Sequence, residues 1–563
     1  MKVHTWVLAA AVMASPAVAD AATFWVANLN GARVVPATGS GGSGLARVML
    51  NDAETEITVS MYWGSLQSGT TGAHIHAAGP GLNGGAQVFI PPPAGVTSGS
   101  VVGSTFPISP SQVNQLKSGL WYIDIHTTNF PAGEIRGQFE LTPILTASMT
   151  GQQTIPAGVQ LGSGRAWISL NEYNNIALIT ASWNNLPDVP TSAHLHIGRS
   201  GTTGGPGFCD LVPTAINNGI VFDRLCVVTP AQVAALKSGQ VYVDVHNAVH
   251  PAGAVRGQIK RGFNPCDFDG DGKSDPTIVR NNGVNLFWFI LRSTGGVMVH
   301  QWGTSGDFFG SRLMCPDMDG DGKADPTIWR AGPAAQYWTL LSSTGGALVQ
   351  QWGTTSDDPR VIGDYDGDGR DDFAIHRPGA QSQYWVLRSS DSTILLRSWG
   401  ITGDFPQSVP DVDGDGRTDL VVQRGGQFWV QTNGLTSIQT QVLSFGLGSD
   451  FHQGQDYDGD GRTDIAISRI SGGQREWWIR SSMTGLPMSP YGSGTIFGSV
   501  ASPASQRAAA DYNGDGRAEI AVWKADVAGG PGYWWTLDVK TGAVTTTQWG
   551  VDGDLAVQNS YWH

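Results

Sequence analysis

Apolar and polar side chains alternate along much of this chain in runs of roughly four to eight residues, the period of half-buried β-strands. In WYIDIH, residues 121–126, Trp121, Ile123 and Ile125 fall on one face and Tyr122, Asp124 and His126 on the other. VYVDVH, 120 residues later, repeats this with Val241, Val243 and Val245 against Tyr242, Asp244 and His246. In AHIH (73–76) and AHLH (193–196) the central Ile75 and Leu195 oppose paired histidines. A short helix precedes each of the first two strands. Ser109 or Thr229 supplies an N-cap before a first-turn proline, and Gly119 or Gly239 ends the helix. The shared offset makes the N-terminal half one β-domain written twice, over residues 22–142 and 143–262.

Residues 263–563 carry a different rhythm. An apolar strand such as PTIVR, PTIWR or DLVVQR is followed by an aromatic one such as LFWFILR, QYWTLLS or QFWVQT. A third strand then closes on QWGTSGD, QWGTTSD, SWGITGD, SFGLGSD, IFGSV or QWGVDGD. Several strands per unit of about 48 residues predict the blades of a β-propeller. Six units predict six blades; the irregular stretch 480–510 leaves seven open. The final WGVDGDLAVQNSYW is placed to pair with the first unit and close the ring. Fifteen of the 21 tryptophans lie in this region, where blade-to-blade packing is their ordinary role.

Each unit opens on an acidic loop with carboxylates at positions 1, 3, 5 and 9, Asn513 replacing the acid at position 3 of the sixth, and glycines at 4 and 6. The first loop offers Asp267, Asp269, Asp271 and Asp275, plus the carbonyl of Lys273. The second offers Asp317, Asp319, Asp321, Lys323 and Asp325, the third Asp364, Asp366, Asp368, Arg370 and Asp372. The fourth has Asp411, Asp413, Asp415, Arg417 and Asp419, the fifth Asp456, Asp458, Asp460, Arg462 and Asp464. The sixth has Asp511, Asn513, Asp515, Arg517 and Glu519. Hard oxygen ligands in this number suit Ca2+, and the spacing follows the first half of an EF-hand loop without its Glu at position 12 or its helices. Six calcium ions would offset +12 of the net charge of −14, so the acidity reads as metal ligation and not as attraction for a basic partner. The plain alternative is a set of solvated acidic turns.

The duplicated half offers His74, His76 and His126, and again His194, His196 and His246. On a strand, His-x-His places both imidazoles on one face, about 6–7 Å apart. Three imidazoles with an open position suit Cu or Zn. Asp124 and Asp244 are placed to orient an imidazole from behind. The alternatives are a hydrogen-bonded polar cluster with Arg136 or Arg256 that fixes loops over the sheet, and redox catalysis. Copy two carries His250 for Phe130 and Ala254 for Glu134, which suggests that it would bind metal differently.

Residues 1–21 have the layout of a secretory signal peptide, with Lys2 before an apolar run and small residues around Ala19. In an exported chain four cysteines favour disulfides, paired here as Cys209–Cys226 and Cys266–Cys315, with reduced thiols as the alternative. The second pair sits just ahead of the same motif in successive repeats. No run of about 18 apolar residues after the leader predicts a membrane span. GxSxG, HExxH, GxxxxGK[ST] and CxxC are absent, and a pI near 5.2 speaks against nucleic acid.

The acidic repeats resemble FG-GAP and VCBS-type repeats of secreted propellers, which implies Ca2+ held between strands of each blade. The His-x-His, the strand ending in His and the PAGEIRGQ or PAGAVRGQ that follows resemble the chordin-type CHRD domain. That resemblance implies an antiparallel sandwich distantly similar to copper-zinc superoxide dismutase, although the bridging histidine of a dismutase is missing. The expectation is an exported all-β protein, secreted or periplasmic, with two antiparallel β-sandwiches followed by a calcium-stabilised propeller. Its leading function is extracellular binding or adhesion to a protein or glycan rather than catalysis. A Cu/Zn-binding or redox protein, and lectin-like carbohydrate binding through exposed tryptophans, are the alternatives.

Overall fold

The computed structural model describes residues 23–557 except 52, 142–143, 158–161, 172, 262–263, 308–312, 408–409, 434–437 and 500–504. The leader at 1–21 lies outside the described residues. The chain is all-β: two strongly curled sheets and then six small ones. Among the described residues no helix is long and apolar enough to cross a membrane.

The first domain runs from Thr23 to Leu141 as one nine-stranded antiparallel sheet, and the second from Ile144 to Arg261 as an eight-stranded sheet of the same order. The sandwich expectation is met by a single sheet curled until nearly closed. Period-two alternation is the cause. Trp25, Val48, Val59, Ile75, Trp121, Ile123 and Ile125 point into one enclosed core, and Ile168, Ile179, Leu195, Val241, Val243 and Val245 fill the other. In the second copy the Cys209–Cys226 disulfide joins the two edge strands, Cys209–Asp210 and Gly219–Val227, and so ties the open seam of the sheet. Both helices form as predicted, Pro110–Lys117 and Pro230–Lys237, each with a complete capping box.

The two domains are joined through a buried cation. Arg47 is fully buried and pairs with Asp223, while its guanidinium also donates to Ser169, Thr180 and the Leu178 carbonyl of the second domain.

Six sheets form the propeller, and the last described strand, Leu555–Ala556, pairs with Thr277–Asn281 of the first blade, closing the ring. Cys266–Cys315 links the segments leading into the first two acidic loops. The recurrent tryptophans pack between blades: the indoles of Trp302, Trp352 and Trp399 donate to the carbonyls of Trp338, Trp385 and Trp429 in the following blade. A second recurrent contact is an arginine near the end of the first long strand in five of the six blades. Arg280, Arg330, Arg377, Arg424 and Arg469 grip Asp554, Asp307, Asp357, Asp404 and Asp450, the acids that end the WGxxxD and FGxxxD segments of the preceding blade. The sixth unit has Lys524 and follows IFGSV, so this pairing is not repeated there.

Candidate metal-binding sites

The acidic loops share one hydrogen-bonding plan. In the first, both oxygens of Asp267 accept backbone N–H groups, from Gly270, Asp271 and Gly272. Asp275 accepts from the N–H of Phe268 and of Ser293. The positive φ at positions 4 and 6, +78° at Gly270 and +87° at Gly272, lets the turn close this tightly. The structure adds partners that spacing alone did not reveal. A Ser/Thr pair on the next hairpin of the same blade holds the acids at positions 3 and 5: Ser293 donates to Asp271, Thr294 to Asp269. Ser342 and Ser343 serve Asp321 and Asp319 in this way, and Ser389 and Ser390 serve Asp368 and Asp366. The signal was present as LRST, LLSS and LRSS after each aromatic strand.

The donor set fits a hard divalent cation. Carboxylate oxygens of Asp267, Asp269 and Asp271, of Asp317, Asp319 and Asp325, and of Asp364, Asp366 and Asp372 converge within 4.8 Å. One oxygen each of Asp269 and Asp319 is buried with no hydrogen-bond partner. Burial, then repulsion from neighbouring carboxylates, raises Asp275 to about 7, Asp413 to about 7 and Asp368 to about 8. Loop six departs from the plan, because the Asn513 amide donates to Glu519 and so turns a prospective ligand oxygen's neighbour into a hydrogen-bond donor.

The loops also close on one another. The N–H at position 8 of each loop donates to the position-1 carbonyl of the loop before it. These bonds run Ala324 to Asp267, Asp371 to Asp317, Thr418 to Asp364, Thr463 to Asp411, Ala518 to Asp456 and Ser274 to Asp511. The basic residues Lys273, Lys323, Arg370, Arg417, Arg462 and Arg517, singled out for their carbonyls, lay their side chains over the position-4 glycine of the preceding loop, as Arg462 does over Gly414. Their N–H groups cap the position-5 acids, as Lys273 caps Asp271.

Both CHRD-like domains sit at this end of the propeller. Ser200 donates to the Asp368 carbonyl, and Ser148 to that of Asp415. Arg165 pairs with Asp415 at 2.9 Å, and Lys260 with Asp364. From the first domain, Lys117 donates to the Met483 carbonyl of blade five.

The histidine sets come together as expected, but Asp124 and Asp244 do not stand behind them. They stand among them. Asp124 Oδ1 lies 2.9 Å from His126 Nε2 and 3.3 Å from His76 Nε2. Asp244 Oδ1 lies 3.0 Å from His246 Nε2, 3.4 Å from His196 Nε2 and 3.9 Å from His194 Nδ1. Strand register explains the correction, since His74 faces Asp124 directly across the ladder and His194 faces Asp244. The ring nitrogens behind are fixed by carbonyls: His76 Nδ1 by Gly84 at 3.0 Å and His126 Nδ1 by Pro131 at 2.9 Å. In the second copy Gly205 and Pro251 take these places at 2.7 and 3.1 Å. Tyr122 and Arg136 have an orienting role: His76 stacks on Tyr122, and the Arg136 guanidinium lies 3.4 Å from the other face of that ring.

The neighbouring Asp124 carboxylate raises His76 and His126, whereas burial, then the charge of His126, lowers His74. Burial pushes Asp244 up, but the close approach of His196 and His246 outweighs it and holds the carboxyl at about 2. His250 and Glu134, which suggested different metal binding in the two copies, belong elsewhere. His250 pairs with Asn247, and Glu134 accepts from Thr127, Ser40 and Gln67.

Residues 25–139 and 145–259 each match the CHRD domain family, and residues 456–522 match the FG-GAP-like repeat. Chordin of Xenopus laevis is 26% identical over 158 residues, covering 24% of this chain and 16% of chordin. The chain thus matches about a sixth of that relative's length. Among solved structures, Porphyromonas gingivalis dipeptidyl peptidase 4 aligns over 88% of this chain and 56% of its own at 9% identity, with a TM-score of 0.19. The NanB sialidase from Streptococcus pneumoniae aligns over 95% and 88% at 9% identity, with a TM-score of 0.22. Neither score carries an argument about fold or activity.

Proposed function

We propose that this chain, which carries two CHRD domains ahead of a propeller with an FG-GAP-like repeat, is an extracellular binding protein whose propeller is held rigid by calcium. The observation that carries this reading is the placement of both CHRD domains at the acidic-loop end of the propeller. The opposite end is then the ligand surface. It presents five Arg–Asp grips, each guanidinium lying 4.5–5.9 Å from an aromatic ring: Phe289, Trp338, Trp385, Trp429 or Trp478. Half-exposed aromatics beside fixed charges suit a protein or glycan ligand.

Calcium would be held by the loop acids at positions 1, 3, 5 and 9. It would supply fixed positive charge that lets crowded carboxylates share one turn. The Ser/Thr hairpins and the loop-to-loop hydrogen bonds would pass that rigidity to the blade ends. The test is binding of the full chain to immobilised glycans and extracellular-matrix proteins, with hydrogen exchange mapping the bound probe. Protection of the turns around Asn282, Gly379 and Gly425 is expected. Protection confined to the CHRD domains, or no binding across the panel, would overturn the assignment.

A further inference from the structure

The four-atom clusters in the two CHRD domains carry an inference beyond ligand binding at the propeller. In the first domain, the carbonyls of Gly84 and Pro131 lie within hydrogen-bond reach of His76 Nδ1 and His126 Nδ1. A carbonyl only accepts, so each Nδ1 bears the proton and each Nε2 directs a lone pair inward. The inward atoms are therefore two imidazole lone pairs and a carboxylate oxygen, with His74 Nδ1 buried and unpartnered beside them.

A purely hydrogen-bonded cluster needs donors, and this arrangement presents acceptors. His126 could donate to Asp124 only as an imidazolium, and doing the same with His76 would set two cations beside a single carboxylate. In the second domain the mismatch is more complete. His194 Nδ1, His196 Nε2, His246 Nε2 and Asp244 Oδ1 are all buried without a hydrogen-bond partner. In both domains the four atoms lie within 4.8 Å of one another. A tetrahedral ion with ligands at about 2.0–2.1 Å separates its ligand atoms by roughly 3.3 Å, and the carboxylate-to-imidazole distances here run from 2.9 to 3.9 Å.

We propose that each CHRD domain binds one borderline-soft divalent ion, Zn2+ or Cu2+, through three imidazoles and the central aspartate, and that the second domain binds it more tightly. The inequality comes from one cross-strand pair. His74 is partnered across the ladder by Phe89, and His194, in the equivalent place, by Asp210. Asp210 Oδ1 lies 3.5 Å from His194 Nε2, whereas the place of Asp210 beside His74 is taken by the apolar Phe89 ring, 5.3 Å between centroids. A carboxylate behind His194 fixes the proton on Nε2, frees Nδ1 for the ion and strengthens it as a donor. Because Asp210 is exposed, an advantage of about tenfold is expected, the lower end of what such outer partners contribute.

The test uses the full chain, stripped with a chelator, returned to excess CaCl2 and titrated with ZnCl2 by calorimetry and with CuSO4 by electron paramagnetic resonance. Two equivalents in two affinity classes are expected, with nitrogen hyperfine structure in the copper spectrum. His126→Ala should remove the weaker class and His246→Ala the tighter. Asp210→Phe should merge the two classes without loss of stoichiometry. Asp124→Asn and Asp244→Asn, which keep side-chain shape, should lose binding with an unchanged melting temperature. Less than one equivalent bound, a copper spectrum with oxygen ligands only, or binding that survives both histidine variants would overturn the proposal. Two equal classes in the parent protein would overturn the ranking.

Discussion

Removing calcium should lower the propeller's melting temperature by on the order of ten degrees. Modules outside the cell hold calcium with dissociation constants of about 0.1–1 mM. At a tenfold excess of free ion each site contributes about 1.4 kcal/mol, so six independent sites contribute about 8 kcal/mol. A domain of about 300 residues unfolds with an entropy of roughly 0.6 kcal/mol per degree near its midpoint, which turns 8 kcal/mol into about 13 °C. The structure gives a reason to expect the full effect. Buried carboxylates such as Asp267, lifted to about 7 by burial and then opposed by Asp271 and Asp269, would be relieved together by one dication. Intrinsic tryptophan fluorescence reads the right region, since fifteen of the 21 tryptophans lie in residues 263–563. The full chain is melted in CaCl2, in EGTA, and in MgCl2 as the control. A midpoint that moves by less than about two degrees between CaCl2 and EGTA, or equally with magnesium, refutes the reasoning. Asp269→Ala, which deletes an acid that pairs with no CHRD-domain cation among the described residues, should remove about a sixth of the shift.

Other perturbations test the frame around these sites. Arg47→Ala should cost about 3–5 kcal/mol by leaving Asp223 buried without its cation, read as a lower urea midpoint, and Arg47→Met with Asp223→Asn should recover most of it. Replacing Cys209 and Cys226 by alanine opens a loop with a sequence separation of 17 and should cost about 3 kcal/mol, measurable as a drop in the second domain's melting temperature. Gly414→Ala should cost about 1–2 kcal/mol from left-handed backbone alone. Its φ is +76°, and the added Cβ would also stand 3.0 Å from Arg462 Cγ. An unchanged melt would show that the backbone at Gly414 is not held in the left-handed region.

Local periodicity carried most of the fold into view. Alternation placed Trp121, Ile123 and Ile125 inward and Asp124 and His126 on the opposite face, and the core contains the first three. The pairing of Cys266 with Cys315 was legible because both precede the same motif. What stayed hidden depends on neighbours that sequence spacing does not define. The grip of Arg424 on Asp404 reaches back 20 residues into the preceding blade, so it becomes visible only when adjacent blades are placed side by side. Asp124 looked like a residue behind its histidines because its own strand was considered alone. Its role is set by register, which puts it opposite His74. Asp210 escaped notice because it lies in a two-residue strand after a glycine-rich loop, where alternation has no length over which to show.

The docking of the second CHRD domain ties these observations together. Lys260 and Arg165 bring cations to Asp364 and Asp415, acids at positions 1 and 5 of neighbouring loops. Part of the repulsion in loops three and four is thus already offset by side chains of another domain. Under the calcium proposal, loops one, two and five would depend more fully on the ion. Each loop's position-8 N–H is bound to the position-1 carbonyl of the loop before it, so loosening at one loop removes a constraint on the next. Chelation should therefore first expose Ser293, Ser342 and Ser482 to hydrogen exchange, while Ser389 above loop three exchanges later. Equal exchange at all four would mean that the docked domain shields none of the loops, and that the two halves of the chain are held together without sharing their charges.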